Sequence, residues 1–309
     1  MNIVDLSQIM YASIHVDGDA NQCARHPSEE NKKMIKHFII NSIRSNHVNQ
    51  KSQYGQMVLA CDSPSWRTEV FPQYKCQRKA AKKIDNSGIR WDFVGEVLDE
   101  LTDDLKEFFP FPTVKVSRAE GDDIIGTLVP YVAKTAIMEE DVFGNVEPQK
   151  TLITSSDQDY FQLHNKYVRQ WSPVMKKLIR PQVPIKHAYL EKVLKGESGS
   201  TTDSIPNYRM GNNTFIDGVR QKPISQKTLD KFFAAENPID ICESEEERAN
   251  FLRNEQLVSF TKIPTDIQES IILCYNEQLA KKHSKMALMN YLTQNRMSNL
   301  LSQITDFYL

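Results

Sequence analysis

Seven carboxylates follow closely on four short apolar runs in the first half of the chain. Asp5 follows Ile3-Val4, and Asp62 follows Met57-Val58-Leu59-Ala60-Cys61. Glu120, Asp122 and Asp123 follow Thr113-Val114-Lys115-Val116, and Asp157 and Asp159 follow Thr151-Leu152-Ile153-Thr154. Each acid alone has a plainer reading as a turn residue or helix cap. Ser117 with Glu120 also fits a capping box, and Asp159 a first-turn dipole residue. Together they predict something else. Carboxylates brought to one place repel and are costly to desolvate unless cations neutralise them. Oxygen donors without His or Cys suit hard ions, magnesium or manganese. Two such ions can clamp the attacking and leaving oxygens of a phosphodiester, so the chemistry implied is metal-assisted phosphoryl transfer to water.

A second pattern lies between the second and third runs. Lys75, Arg78, Lys79, Lys82 and Lys83 fall at i, i+3, i+4, i+7 and i+8, which predicts five cations on one helix face. No acid interrupts Phe71 to Ile84, and Trp66, Arg67, Phe71 and Tyr74 adjoin. Uncompensated cations beside aromatic rings suit a phosphate backbone with a base or sugar stacked alongside. An acidic metal centre beside a basic strand guide reads as a nuclease.

The elements that must position these groups are legible as alternation. Apolar runs of strand length separate helical patterns such as Met34-Ile35-Phe38-Ile39-Ile43 and Val94-Val97-Leu98-Leu101-Leu105-Phe108. That alternation predicts an α/β fold with a mostly parallel central sheet flanked by helices, and ligands then bind outside the carboxyl ends of the strands. After Gly196 the strand signal fades into a polar loop and about four helical patterns, with starts near Ser244 and Pro264. The expected division is therefore an α/β core over 1–185, carrying a helical arch at about 64–90, and a smaller, mainly helical domain over 186–309. The 309 residues carry 38 Lys+Arg against 40 Asp+Glu, so a general nucleic-acid coat is not expected. No apolar run reaches membrane-spanning length, and Asp5 sits where a signal peptide would be apolar. Five cysteines without CxxC spacing indicate neither a zinc knuckle nor a disulfide framework.

These residues resemble the 5′ nuclease, or flap endonuclease, family, and within it the ribonuclease H branch of T-even bacteriophages. The resemblance rests on Ile3-Val4-Asp5-Leu6-Ser7-Gln8, Cys61-Asp62, Tyr74-Lys75 with Arg78, Glu120-Gly121-Asp122-Asp123-Ile124-Ile125, Ser155-Ser156-Asp157-Gln158-Asp159 and Gln170-Trp171-Ser172-Pro173. It implies a PIN-like 5′-nuclease core crossed by a helical arch, and a helix–three-turn–helix element that grips duplex DNA. It implies magnesium-dependent 5′-to-3′ removal of RNA primers and 5′ ends from lagging-strand fragments. The substrates would be DNA and RNA–DNA hybrid with 5′ ends or flaps. Asp5, Asp62, Glu120, Asp122, Asp123, Asp157 and Asp159 would form a centre for two magnesium ions, which manganese could replace. Lys75 and Arg78 would contact the scissile phosphate with Asp157 central to catalysis, and Arg67, Tyr74, Lys79, Lys82 and Lys83 would complete the nucleic-acid face. The family pattern Gly-Asp-x-x-Asp-Asn is altered here to Gly196-Glu197, a longer loop, then Asp203, so Glu197 and Asp203 become candidate ligands of the second ion.

Two other readings stay open at this point: a PIN-type endoribonuclease, and a catalytically silent structure-specific DNA-binding protein. The expected setting is a monomer in the host-cell cytoplasm, without a membrane. At the C-terminus, Ile304 with Phe307-Tyr308 resembles half of a sliding-clamp-binding peptide, but Leu301 replaces its leading glutamine. Leu300, Leu301, Ile304, Phe307 and Tyr308 also fit one face of a terminal helix docked on its own domain, which is the preferred reading.

Overall fold

A computed structural model describes residues 1–16, 18–135, 138–140 and 146–308. The four expected strands become β1 (Asn2–Asp5), β2 (Met57–Ala60), β3 (Thr113–Val114) and, after a small antiparallel ladder of β4 (Met138–Glu140) with β5 (Val146–Pro148), β6 (Thr151–Thr154); a further strand, β7 (Val168–Ser172), was not expected. A short β8 (Lys177–Ile179) follows, and the main sheet runs β3-β2-β1-β6-β7-β8. All neighbours pair in parallel except β7 with β8, an antiparallel edge hairpin. Strands β1, β2 and β6 are buried at every position, as a sheet covered on both faces requires. The four acid-bearing strands are β3, β2, β1 and β6. They are consecutive in the sheet and parallel, so their carboxyl ends form one rim.

The chain divides into two compact units. The first comprises residues 1–64, 87–180 and 265–309, and the second residues 65–86 and 181–264. This differs from the expected single cut near residue 185 in two respects. The segment expected as an arch on the core clusters with the second unit, and residues 265–309 return to the first. The reason is burial. Leu288, Leu292, Leu300 and Phe307 enter the same apolar core as Val4, Ile39, Leu59, Val97 and Leu101. Phe307 lies 5.3 Å from Phe109, edge-on, and 6.1 Å from Phe111, while Asp306 pairs with Arg44. The C-terminal segment is thus docked as the apolar spacing predicts, and Leu309 lies outside the described residues.

The second unit packs the helices Ile185–Lys195, Gln226–Ala234 and Glu245–Val258 around Leu190, Leu194, Tyr208, Phe232, Phe251 and Leu257. Ser244 caps its helix as expected, accepting from the Glu247 amide at 3.1 Å. Gly196 ends the first of these helices at φ +62°, where a Cβ would meet the Ile205 carbonyl oxygen at 2.1 Å, so only glycine fits.

Candidate metal centre

The acids of the first unit meet at the rim because each strand delivers its carboxylate at the point where pairing stops. Asp5 closes β1. It is nearly buried (9% exposed) and accepts from the Gln8 amide (3.2 Å), the Ser155 hydroxyl (3.2 Å) and the Tyr160 hydroxyl (3.4 Å). Burial, and then the charges of Asp62 and Asp157, push its pKa up to about 7. Asp62, just past β2, accepts from the Ser7 hydroxyl and, at 2.6 Å, from the Gly121 amide. A Cβ on Gly121 would stand 3.1 Å from Asp62 Oδ1 and 3.9 Å from Asp5 Oδ1, which places both carboxylates against the start of the helix Gly121–Thr135.

That helix brings the third group. Glu120, Asp122 and Asp123 offer carboxylate oxygens all within 4.8 Å of one another. Asp123 is fully buried, and its Oδ2 accepts from the Glu120 amide at 2.9 Å. Asp123 thus satisfies the Glu120 amide at the helix start, one turn later than the Ser117–Glu120 capping box that the sequence also fits. The fourth group stands at the end of β6. Asp157 is exposed and caps a short 3-10 turn, its Oδ1 accepting from the Asp159 amide at 2.9 Å. Tyr160, completely enclosed, has its hydroxyl pKa raised by burial and then by the charges of Asp5, Asp122, Asp157 and Asp62. One phenol thus feels acids from all four strand ends.

Sequence reasoning missed the groups that hold these acids. Ser155 donates to Asp5 and accepts from the Asp157 amide at 3.2 Å. Gln170, buried on β7, donates to the carbonyls of Ser155 (2.9 Å) and Asp157 (2.6 Å), and pairs with His164 at 3.0 Å. Only the position of Gln170 among inward-facing residues of a strand could have signalled this role. The donor set is wholly oxygen and crowded, which fits hard divalent cations. Bound there, such ions polarise a phosphodiester and lower the pKa of water. The protein's own groups hold the carboxylates in place: Ser7 and Gly121 on Asp62, Ser155 and Tyr160 on Asp5, Gln170 beneath Asp157.

The basic segment lies in the second unit and departs from expectation. The helix covers Cys76–Lys83, and Lys75 precedes it at φ 59° in the left-handed region. The Lys75 amide donates to the Asp203 carbonyl at 2.8 Å, and its ammonium stands 3.6 Å from Asp203 Oδ1. Arg78 is half-buried, while Lys79, Lys82 and Lys83 are exposed. Arg67 and Tyr74 are corrections. Both are 1% exposed, so neither can stack on or grip nucleic acid in this conformation. Arg67 Nε donates to the Leu257 carbonyl at 2.8 Å, and the Tyr74 hydroxyl to Asp203 Oδ2 at 2.8 Å.

Glu197 and Asp203, expected as ligands of a second ion, have cationic partners within their own unit instead. Glu197 pairs with Lys192 at 2.6 Å, and its other oxygen accepts from the Asp203 amide at 3.2 Å. Burial pushes the Asp203 carboxyl up, but the charges of Lys75 and Lys192, the Tyr74 hydroxyl and the charge of Arg67 outweigh it and hold the group below its usual value. The longer loop has turned these acids into anchors for the basic segment.

Known proteins place this geometry. Residues 1–192 match the 5′–3′ exonuclease N-terminal resolvase-like domain, and residues 186–307 match the C-terminal domain of T4 RNase H. The chain is 27% identical to the ribonuclease H of Enterobacteria phage T4, over 99% of this chain and 95% of that protein. Among solved structures it is similar to a bacteriophage T5 flap endonuclease in a pseudo-enzyme–product complex with DNA and metal ions (TM-score 0.58, 14% identity, 91% of this chain and 99% of that one). It is also similar to the T5 5′-exonuclease with bound zinc (TM-score 0.53, 15% identity, 90% and 98%). These structural likenesses carry the fold, a PIN-like α/β core with a helical part. With four strand ends delivering their acids to one rim, and a match spanning well over half its length, the chain belongs to the 5′–3′ exonuclease family.

Proposed function

We propose that the protein is a magnesium-dependent 5′-to-3′ exonuclease and flap endonuclease with ribonuclease H activity. It removes RNA primers and 5′ ends of lagging-strand fragments during phage DNA replication in the host cytoplasm. The observation that carries this is the delivery of Asp5, Asp62, the Glu120–Asp123 cluster and Asp157 to one rim by four consecutive parallel strands, a concentration of negative charge that divalent cations would relieve. The family match and the named activities of the relatives support the substrate class. In this reading Asp5, Asp62, Glu120, Asp122 and Asp157 hold two ions, with Asp123 and Asp159 supporting them. Lys75 and Arg78 meet the scissile phosphate, and Lys79, Lys82 and Lys83 attract the backbone.

The test uses 5′-labelled and 3′-labelled RNA–DNA hybrid and flapped DNA, with and without magnesium. Release of short 5′-labelled products only with the ion is expected, and Asp157→Asn should remove most turnover while leaving binding nearly intact. Lys75→Ala should lower single-turnover cleavage far more than Lys83→Ala, which should mainly flatten the salt dependence of binding. Cleavage that ignores the 5′ end, or persists in chelator, would refute the reading.

A further inference from the structure

The loop that delivers Glu120 carries a residue that the site described above does not use. Arg118 stands two residues before Glu120, at φ 67°, in the left-handed region that non-glycine residues hold only where their surroundings fix them. Those surroundings are specific. The Ser63 amide, next to Asp62, donates to the Ala119 carbonyl at 2.9 Å, and the Ala119 amide to the Val116 carbonyl at 3.2 Å. Ala119 is fully buried, and the Glu120 amide is held by Asp123 at 2.9 Å. The Arg118 side chain makes a further tie, its Nη1 donating to Asp266 Oδ2 at 2.8 Å.

Asp266 lies in the first turn of the helix Thr265–Ala280, which follows the second unit in sequence but belongs to the first. That helix packs along the helix Gly121–Thr135 and against β3. Ile267 and Ile271 are buried, the Tyr275 ring meets Tyr131 edge-on at 6.3 Å, and Asn276 donates to the Tyr131 hydroxyl at 3.2 Å. Asp266 is therefore mounted on a packed support. The acids themselves create the need for a tie. Glu120, Asp122 and Asp123 have carboxylate oxygens within 4.8 Å of one another, and like charges that close push their loop apart until an ion binds.

We infer that Arg118 is a positioning residue for the metal centre: its ion pair with Asp266 ties the loop bearing Glu120 to the helix Thr265–Ala280, and so keeps the cluster gathered for a divalent ion. The inference rests on the metal-dependent reading above and extends it to a pair outside the acidic cluster. Two effects of Arg118 have opposite signs here. By charge alone, removing a cation beside an acidic cluster should tighten cation binding. Losing a positioning tie should weaken it.

The test is manganese uptake by the full chain, followed through the electron paramagnetic resonance signal of the free ion, with no nucleic acid present. The variants are Arg118→Gln, Asp266→Asn, the two combined, Arg118→Lys and Arg118→Gly. Partners that hydrogen-bond metal ligands directly are worth ~10–100-fold in affinity, and this exposed pair is one step further out, so each neutral single variant should weaken uptake ~3-fold. The double variant should lose no more than either single one, and Arg118→Lys should keep most of the affinity. Arg118→Gly suits the left-handed backbone but lacks the side chain, so it should lose as much as Arg118→Gln. The two side chains are 43% and 65% exposed, so the variants should melt like the parent in chelator. Manganese binding by Arg118→Gln or Arg118→Gly that equals or exceeds the parent's overturns the inference, as does a double variant whose loss is the product of the single ones. A parent that takes up no manganese overturns the inference and the proposed function together. One that binds the ion but cuts no labelled substrate sinks the proposed function alone.

Discussion

Replacing Asp5 by Asn should make the metal-free protein more stable at alkaline pH while abolishing cleavage. With its pKa raised to about 7 from an ordinary value near 3.8, the folded protein holds the Asp5 proton longer than the unfolded chain does. Folding stability should then be full below about pH 4, fall as pH rises towards 7, and level off above that. At ~1.4 kcal/mol per tenfold, the ceiling of this penalty is ~4 kcal/mol, shared with Asp62 and Asp157, whose charges contribute to it. Asparagine keeps the bond from the Gln8 amide, but its own amide must meet the Ser155 and Tyr160 hydroxyls, and that re-pairing costs ~1 kcal/mol. The net expectation is a variant more stable by ~1–3 kcal/mol at pH 8 in chelator, with the advantage gone by pH 5. Urea denaturation of both proteins at the two pH values measures it. Adding divalent ion should reverse the order at pH 8, since the parent gains more from binding. A difference between the two proteins that stays constant with pH would refute the reasoning, because it would show that Asp5 ionises as freely folded as unfolded.

Phe307→Ala should cost ~3–5 kcal/mol in a denaturation experiment, since the ring is 2% exposed between Phe109 and Phe111. A loss below ~1 kcal/mol would show that the segment is undocked and would revive a clamp-binding role for it. Asp203→Asn should destabilise the second unit by ~1–3 kcal/mol at neutral pH by leaving Lys75 without its carboxylate. Because the Asp203 carboxyl is held below its usual value of 3.8, that contribution is present above about pH 4 and lost as pH falls through the lowered folded value, so the gap between variant and parent should shrink with further acidification. Gly121→Ala should raise the magnesium concentration needed for half-maximal cleavage by ~10-fold with little change in melting temperature, its new methyl standing 3.1 Å from Asp62 Oδ1. An unchanged magnesium titration would place Asp62 outside the ion site.

The rim was legible in the sequence because local signals and topology agree there. An apolar run that stops at an acid marks a strand end, and four such strands prove consecutive in one parallel sheet. The burial of Arg67 and Tyr74 was not legible, because it depends on the Leu257 carbonyl and on Asp203, groups far along the chain that periodicity cannot see. Lys75 fell at helical spacing, yet its left-handed backbone comes with a bond to the Asp203 carbonyl. The edge strand β8 carries only three residues and no apolar alternation, so it gave no signal. The return of residues 265–309 to the first unit was hidden for the same reason as Arg67. A helix face records that it is buried, and not against which segment.

That return has a consequence for synthesis. Every strand of the main sheet is translated before residue 181, yet part of the core beneath it, Leu288, Leu292, Leu300 and Phe307, is translated only after the whole second unit. While the second unit is being made, the nascent sheet must wait with an apolar face unsealed, for seconds to tens of seconds at ordinary elongation rates. A chain broken off by premature termination would carry every acid of the rim but lack the residues that close the core. Products that stop before these residues should thus be aggregation-prone or degraded rather than left as loose fragments bearing the acidic rim.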